Sequence, residues 1–366
     1  MAAEHVSTVL MTADTVGGVW TYAIELARAL AAGGVRVHLA TMGGPVRDHQ
    51  RRQADAVAGL TLHESPFKLE WMQDPWADVE KAGLWLQELE DVFTPQVVHL
   101  NQFAFGALPF RARKLVVAHS CVLSWWHAVH GETAPSEWDE YHRRVSRGLA
   151  GAHMVAAPTQ AMLATLAGNY GFRGRAVVLP NARDGSQFQP GPKRDVVFSA
   201  GRLWDDAKNL VALDAVAEHL PWPVRVAGSC IAPHGGVIRP RWAQVLGELG
   251  AHEVAREMAT AGIYALPARY EPFGLSVLEA ALSGCALVLG DIASLRETWG
   301  ATALYVPPDD HAALHAALVR LIANAGERER RGRAARARAL HFHPQRMAQD
   351  YLRAYTTLFQ EELACA

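Results

Sequence analysis

A chain of 366 residues is too long for one ordinary domain, and two domains of about 150–200 residues each are the natural expectation. With 50% hydrophobic and 20% charged residues the composition is that of a soluble globular protein. A net charge of −2 argues against nucleic-acid binding, which goes with a clear basic excess.

The chain starts Met1-Ala2-Ala3-Glu4-His5 and enters a strand-like run directly, without the basic start and longer apolar core of a signal peptide. Residues 6–12 are expected to form a buried strand, followed by the turn Asp14-Thr15-Val16-Gly17-Gly18. Residues 19–32 carry apolar side chains at helical spacing and stop at Gly33-Gly34, and residues 35–41 form a second strand. This is a βαβ unit, hence parallel strands and a right-handed crossover. Further strands are expected at 96–100, 114–118 and 153–157. The Pro-, Gly-, Asn- and Asp-rich stretch 180–195 is expected to be a linker.

A second series then begins. Strands are expected at 196–200, 224–227, 263–266, 285–290 and 303–306, and helices at 209–220, 251–261, 276–282 and 310–323. Strands alternating with helices in both halves imply an α/β protein of two doubly wound parallel sheets. The arginine-rich stretch 327–338 has the composition of a solvated helix, His343-Pro344 breaks the chain, and an amphipathic helix at 345–359 closes it. The domains are therefore 1–185 and 186–344, with 345–366 expected to return to the first. No stretch reaches the roughly 18 apolar residues of a transmembrane helix, so contact with a membrane is expected to be peripheral at most. Cys121, Cys230, Cys285 and Cys365 are scattered and form no C-x-x-C pair. This argues against a metal site or disulfide framework built from them and fits a reducing, cytoplasmic setting.

In open α/β sheets ligands sit beyond the carboxyl ends of the strands, so the loops there carry the candidates. Gly17-Gly18 lets the backbone approach a ligand, unless it is only a tight turn. A dinucleotide site would also want an acidic residue about 20 positions on, but the second strand ends Leu39-Ala40-Thr41. His119 ends a strand and points to the mouth of a cleft, the alternative being a satisfied buried histidine. In Gly201-Arg202-Leu203-Trp204-Asp205-Asp206-Ala207-Lys208-Asn209 the cations Arg202 and Lys208 can converge on a diphosphate. The alternative pairs Lys208 with Asp205 or Asp206. In Glu271-Pro272-Phe273-Gly274-Leu275-Ser276-Val277-Leu278-Glu279 two carboxylates flank a glycine-led helix start. The amides of Gly274, Leu275 and Ser276 can cradle a phosphate, and Glu271 and Glu279 can each hold a polyol. Ser276-x-x-Glu279 is equally a capping box.

These motifs, in this order, resemble the retaining family-4 glycosyltransferases of the GT-B fold, two Rossmann-like domains with the donor in the cleft between them. The Glu271–Glu279 spacing resembles that family's signature, and the resemblance covers nearly the whole chain. It implies that Arg202 and Lys208 neutralise the donor diphosphate and that Gly274, Leu275 and Ser276 give backbone contacts. It also implies that Glu271 binds the sugar, Glu279 the ribose, and His119 the transferred sugar, while Gly17 and Gly18 shape the floor where donor and acceptor meet. The chain departs from the family at Asn181-Ala182-Arg183-Asp184, where glycine is usual after the asparagine. The activity implied is transfer of a hexose from a UDP- or GDP-sugar to an acceptor hydroxyl with retention, without a metal or other cofactor. The acceptor is a glycan, lipid-linked sugar or small molecule. The aromatic stretches 67–76 and 123–130 serve either acceptor contact or core packing. A sugar-nucleotide epimerase of similar fold and a non-catalytic sugar-binding protein are the rival functions. A glycosidase would also use paired carboxylates, but would not need a phosphate cradle beside them.

Overall fold

The structure is a computed structural model that describes residues 6–232 and 235–360. Cys365 and the start of the chain, residues 1–5, lie outside the described residues. The chain divides into two compact units: the described parts of Met1–Ser124, Glu132–Ala182 and Pro344–Ala366 form one, and those of Trp125–Gly131 and Arg183–His343 the other.

The first unit is built on strands β1 (Thr8–Asp14), β2 (Arg36–Met42), β3 (Leu60–Glu64), β4 (Val97–Leu100), β5 (Arg113–Val117), β6 (Met154–Ala157) and β7 (Ala176–Val178). All pair in parallel, in the order β3-β2-β1-β4-β5-β6-β7. The central strands are buried and mostly apolar because both faces of a parallel sheet are covered. Val9 and Met11 of β1 pack on one face with Leu26, Leu30 and Tyr351, while Leu10 packs on the other with Val98, Val116 and Phe105. The crossover helix Gly18–Ala32 buries Trp20, Ala23, Ile24, Ala27 and Leu30 at helical spacing. The helix Pro344–Thr357 packs on it through Met347, Tyr351 and Tyr355.

The second unit holds β8 (Arg194–Ala200), β9 (Val224–Ala227), β10 (Gln244–Val245), β11 (Ala261–Leu266), β12 (Ala286–Gly290) and β13 (Leu304–Val306), parallel in the order β10-β9-β8-β11-β12-β13. Both sheets thus have the doubly wound topology expected of the alternation.

Other details add to or differ from the sequence expectation. The strands β3, β7 and β10 and the helices Asp48–Asp55, Trp76–Phe93, Val122–His130, Asp139–Gly151, Gln160–Tyr170 and Ala293–Trp299 were not expected; the three strands are sheet edges, partly exposed in β3 and β7 and exposed in β10, and carry little apolar signal. Phe67, Trp71, Met72 and Trp76 pack against the core of the first unit. The arginine-rich helix, Ala325–Ala339, is solvated on one side only. It buries Gly332, Ala335 and Ala339, and a Cβ on Gly332 would lie 2.5 Å from the Gly284 carbonyl oxygen. Some of its arginines reach back to the unit: Arg328 lies over the Trp222 ring at 4.6 Å and Arg338 donates to the Thr298 carbonyl at 2.9 Å. Small residues let the helix approach, and the guanidinium stems cover apolar surface.

Candidate functional site

In the second unit the winding reverses between β8 and β11, and the crevice beyond their carboxyl ends is where a doubly wound sheet takes a ligand. The two following loops are knitted together. Asn209, in the left-handed region at φ 58°, donates through Nδ2 to the carbonyls of Pro267 (3.0 Å) and Pro308 (2.7 Å). The Arg269 amide donates to the Ala207 carbonyl at 2.9 Å.

This brings Lys208 Nζ to 2.6 Å from Glu271 Oε2, with both side chains largely buried. The cation and the carboxylate proposed from the two motifs therefore form one ion pair. Lys208 does not pair with Asp205 or Asp206; Asp205 instead takes Arg202, at 2.8 Å, and also accepts from the Trp125 indole N–H at 2.9 Å. Burial would raise the Asp205 carboxyl, but Arg202, Lys208 and the Trp125 hydrogen bond outweigh it and hold it below its ordinary value. Arg202 remains the more open cation, its side chain 44% exposed.

After β11, Gly274 sits at φ 89°, ψ 69° and turns the chain into the helix Leu275–Leu282. A Cβ there would meet Val277 Cγ2 at 3.0 Å, so only glycine fits easily. The first-turn amides of such a helix have no intrahelical acceptor. The Ser294 hydroxyl holds the Glu271 carbonyl at 2.6 Å, and the Tyr264 hydroxyl lies between Ser276 Oγ (2.8 Å) and the Ala200 carbonyl (3.1 Å). Burial raises the Tyr264 phenol well above its ordinary value, and Glu279 and Glu271 both add to the shift, which places both carboxylates near one ring.

The capping box is not formed. The cap is Gly274, with no side-chain cap hydrogen bond, and Ser276 lies within the helix. Glu279 instead meets Arg183, Nε to Oε1 at 2.7 Å, and that guanidinium also lies 5.0 Å from the centre of the Phe188 ring. Arg183 is thus the partner of a candidate site residue, one that motif reasoning missed. Its only sequence signal was the departure after Asn181.

In the first unit the winding reverses between β1 and β4. Gly17, at φ 80° and ψ −154°, caps the helix that Gly18 opens; that combination of angles belongs to glycine. Asp14 at the end of β1 accepts from Gln102 Nε2. His119 follows β5. Its Nε2 is 2.8 Å from Asn101 Oδ1, and the Tyr22 ring packs edge-on at 4.4 Å. Burial pushes the His119 imidazole down to about 3, so it is neutral at ordinary pH. His119 is therefore half-buried and partnered, with an Asn101 contact that motif reasoning did not supply. The structure places Arg202, Lys208, Glu271, Gly274, Leu275, Ser276 and Glu279 in one unit and Gly17, Gly18 and His119 in the other.

Among the described residues no group of three or more His, Cys, Asp or Glu side chains is placed to hold a metal ion. Nor is any helix among them long and apolar enough to cross a membrane. Cys121, Cys230 and Cys285 are free thiols.

The chain matches the family model described as Glycosyltransferase Family 4 over residues 16–187 and that described as Glycosyl transferases group 1 over residues 194–324. Among curated proteins it is similar to glycogen synthase of Mycobacterium tuberculosis, 38% identical over 100 residues, which are 27% of this chain and 24% of the relative. The match thus spans about a quarter of that relative's length. Among solved structures, sucrose-phosphate synthase from Thermosynechococcus elongatus superposes with a TM-score of 0.82 at 19% identity, over 96% of this chain and 99% of the other. HepE of Anabaena in complex with UDP superposes with a TM-score of 0.74 at 15% identity, over 96% and 100%. These likenesses establish the shared fold, and with the two family models the chain belongs to the family-4, group 1 glycosyltransferases of the GT-B fold.

Proposed function

We propose that this chain is a retaining hexosyltransferase that moves a sugar from a nucleoside-diphosphate hexose to an acceptor hydroxyl. The observation that carries this reading is the Lys208–Glu271 pair, 2.6 Å apart, beside the Gly274-led helix start. A cation, a carboxylate and free helix amides together suit a sugar diphosphate: the diphosphate competes with Glu271 for Lys208, and the released carboxylate accepts from sugar hydroxyls. Arg202, open to solvent and anchored by Asp205, adds the second cation.

Retention follows from a front-face route. The bond between the anomeric carbon and the diphosphate oxygen breaks, and the acceptor oxygen bonds to that carbon on the same face. The acceptor proton passes to the departing phosphate, while Arg202 and Lys208 stabilise the charge left there. The amides of Gly274, Leu275 and Ser276 contact the phosphate and sugar, and Glu279, held by Arg183, accepts from the ribose. His119 contacts the sugar, and Gly17 and Gly18 border the acceptor. The two cations do the work that a metal does in other transferases, so no metal or other cofactor is required.

UDP is the first donor to test, because Anabaena HepE structures hold UDP and UDP-glucose. The acceptor is a glycan, a lipid-linked sugar or a small molecule, and the setting is cytoplasmic with at most peripheral membrane contact. The test is a panel of UDP- and GDP-hexoses, read by thermal shift and by slow release of nucleoside diphosphate. At least one should stabilise the protein and be hydrolysed. Stabilisation by none, or binding without any release of diphosphate, would overturn the reading.

A further inference from the structure

Asn101 follows β4, and its amide can be oriented without ambiguity. Its backbone N–H donates to Thr12 Oγ1 at 2.8 Å, and its Nδ2 faces the Thr12 carbonyl oxygen, which can only accept. The other end of the amide, Oδ1, therefore faces His119 Nε2 at 2.8 Å and His99 Nε2 at 3.3 Å. A carbonyl oxygen has no hydrogen to give, so His119 Nε2 must carry one, whereas His99 Nε2 also lies 3.1 Å from the Tyr22 hydroxyl, which can donate to it.

The chain of hydrogen bonds continues into the C-terminal helix. His99 Nδ1 lies 2.6 Å from the Tyr355 hydroxyl. His99 and Tyr355 are fully buried, so water does not compete. Asn101, oriented by Thr12, thus sets the proton position of His119 from within one unit. The Tyr22 ring, edge-on at 4.4 Å, packs against the imidazole from another element. Because burial keeps His119 neutral, its Nδ1 retains a lone pair, and among the described residues no hydrogen bond from the protein reaches that atom.

We propose that Asn101 is a positioning residue that locks His119 in its Nε2–H tautomer, offering Nδ1 as an acceptor to a hydroxyl of a neutral donor sugar. The inference rests on the reading that His119 faces the sugar, and it adds which nitrogen does so and what it accepts. A hydroxyl donates to Nδ1, whereas a carboxylate oxygen would set two lone pairs against each other; a hexose is therefore favoured over the corresponding uronate.

The test uses the full chain labelled with 15N-histidine and free of ligand, with the His119 signals assigned by their loss in His119→Gln. Long-range 15N–1H spectra should show His119 as the neutral Nε2–H form across roughly pH 5–8. Asn101→Leu, which removes the acceptor, should mix the tautomers. It should also lower kcat for UDP-glucose hydrolysis about tenfold or more while leaving UDP affinity within about twofold. UDP-glucuronate should be hydrolysed at least about tenfold more slowly than UDP-glucose. An Nδ1–H form or an imidazolium in the unaltered protein, or a tautomer unchanged in Asn101→Leu, overturns the proposal. The spectra bear on the lock alone and turnover of UDP-glucose on the glycosyltransferase reading, so the two failures are told apart.

Discussion

Replacing Glu279 by alanine separates two accounts of that carboxylate. If it capped its helix, the loss would be about 1 kcal/mol. The structure instead pairs it with Arg183, whose side chain is only 8% exposed. Removing one partner of a buried ion pair costs about 3–5 kcal/mol, because the other charge stays buried. Glu279 is 15% exposed and the Phe188 ring still faces the guanidinium at 5.0 Å, which lowers the expected cost to about 2–3 kcal/mol. At about 2–4 °C per kcal/mol for a unit of this size, Glu279→Ala should lower the melting temperature by about 4–12 °C. Calorimetry on Glu279→Ala, Arg183→Met and the double variant closes a cycle, and the double variant should recover at least about half of the single loss. A single loss of about 1 kcal/mol or less, with no recovery in the double variant, would refute the argument and return Glu279 to an ordinary helical position.

Lys208→Ala should lower turnover about 10²-fold, the usual scale when a group that stabilises transition-state charge is removed, and a fall of less than threefold would remove Lys208 from the chemistry. Gly274→Ala should cost about 1–2 kcal/mol for the left-handed backbone alone and weaken nucleoside diphosphate binding; urea unfolding and titration calorimetry check both, and unchanged values would mean the helix start is not held as described. The unfolded chain protonates His119 below about pH 6.5, but the folded protein does so only near 3, so stability from the neutral ring is complete above pH 6.5 and is lost as pH falls. Between those values His119→Gln should flatten the slope by about 1.4 kcal/mol per pH unit relative to the unaltered protein. Glu70, which burial pushes up to about 7, pulls the other way, so the difference between the two proteins is the quantity to measure, and equal slopes would refute the assignment. Activity should persist in EDTA; loss restored by magnesium or manganese would overturn the metal-free route.

The alternation of strands and helices is written locally. A strand covered on both faces is mostly apolar, as β1 and β4 are, and a crossover helix must show an apolar stripe, as Gly18–Ala32 does. Gly17 and Gly274 were legible for the same reason, since a positive φ at a helix start selects glycine by its own backbone. The edge strands β3, β7 and β10 were not, because residues at an exposed sheet edge need not alternate cleanly. Nor could the pairings be read. Composition alone offered Lys208 to the aspartates beside it and Glu279 to the serine three residues before it, yet Lys208 took Glu271 and Glu279 took Arg183. Local backbone preference acts over a few residues and leaves its mark in order and spacing. An ion pair or a histidine tautomer depends on distances of about 3 Å between groups far apart in the chain. Those distances exist only once the sheet order sets β11 against β8, and β4 against β1 and β5.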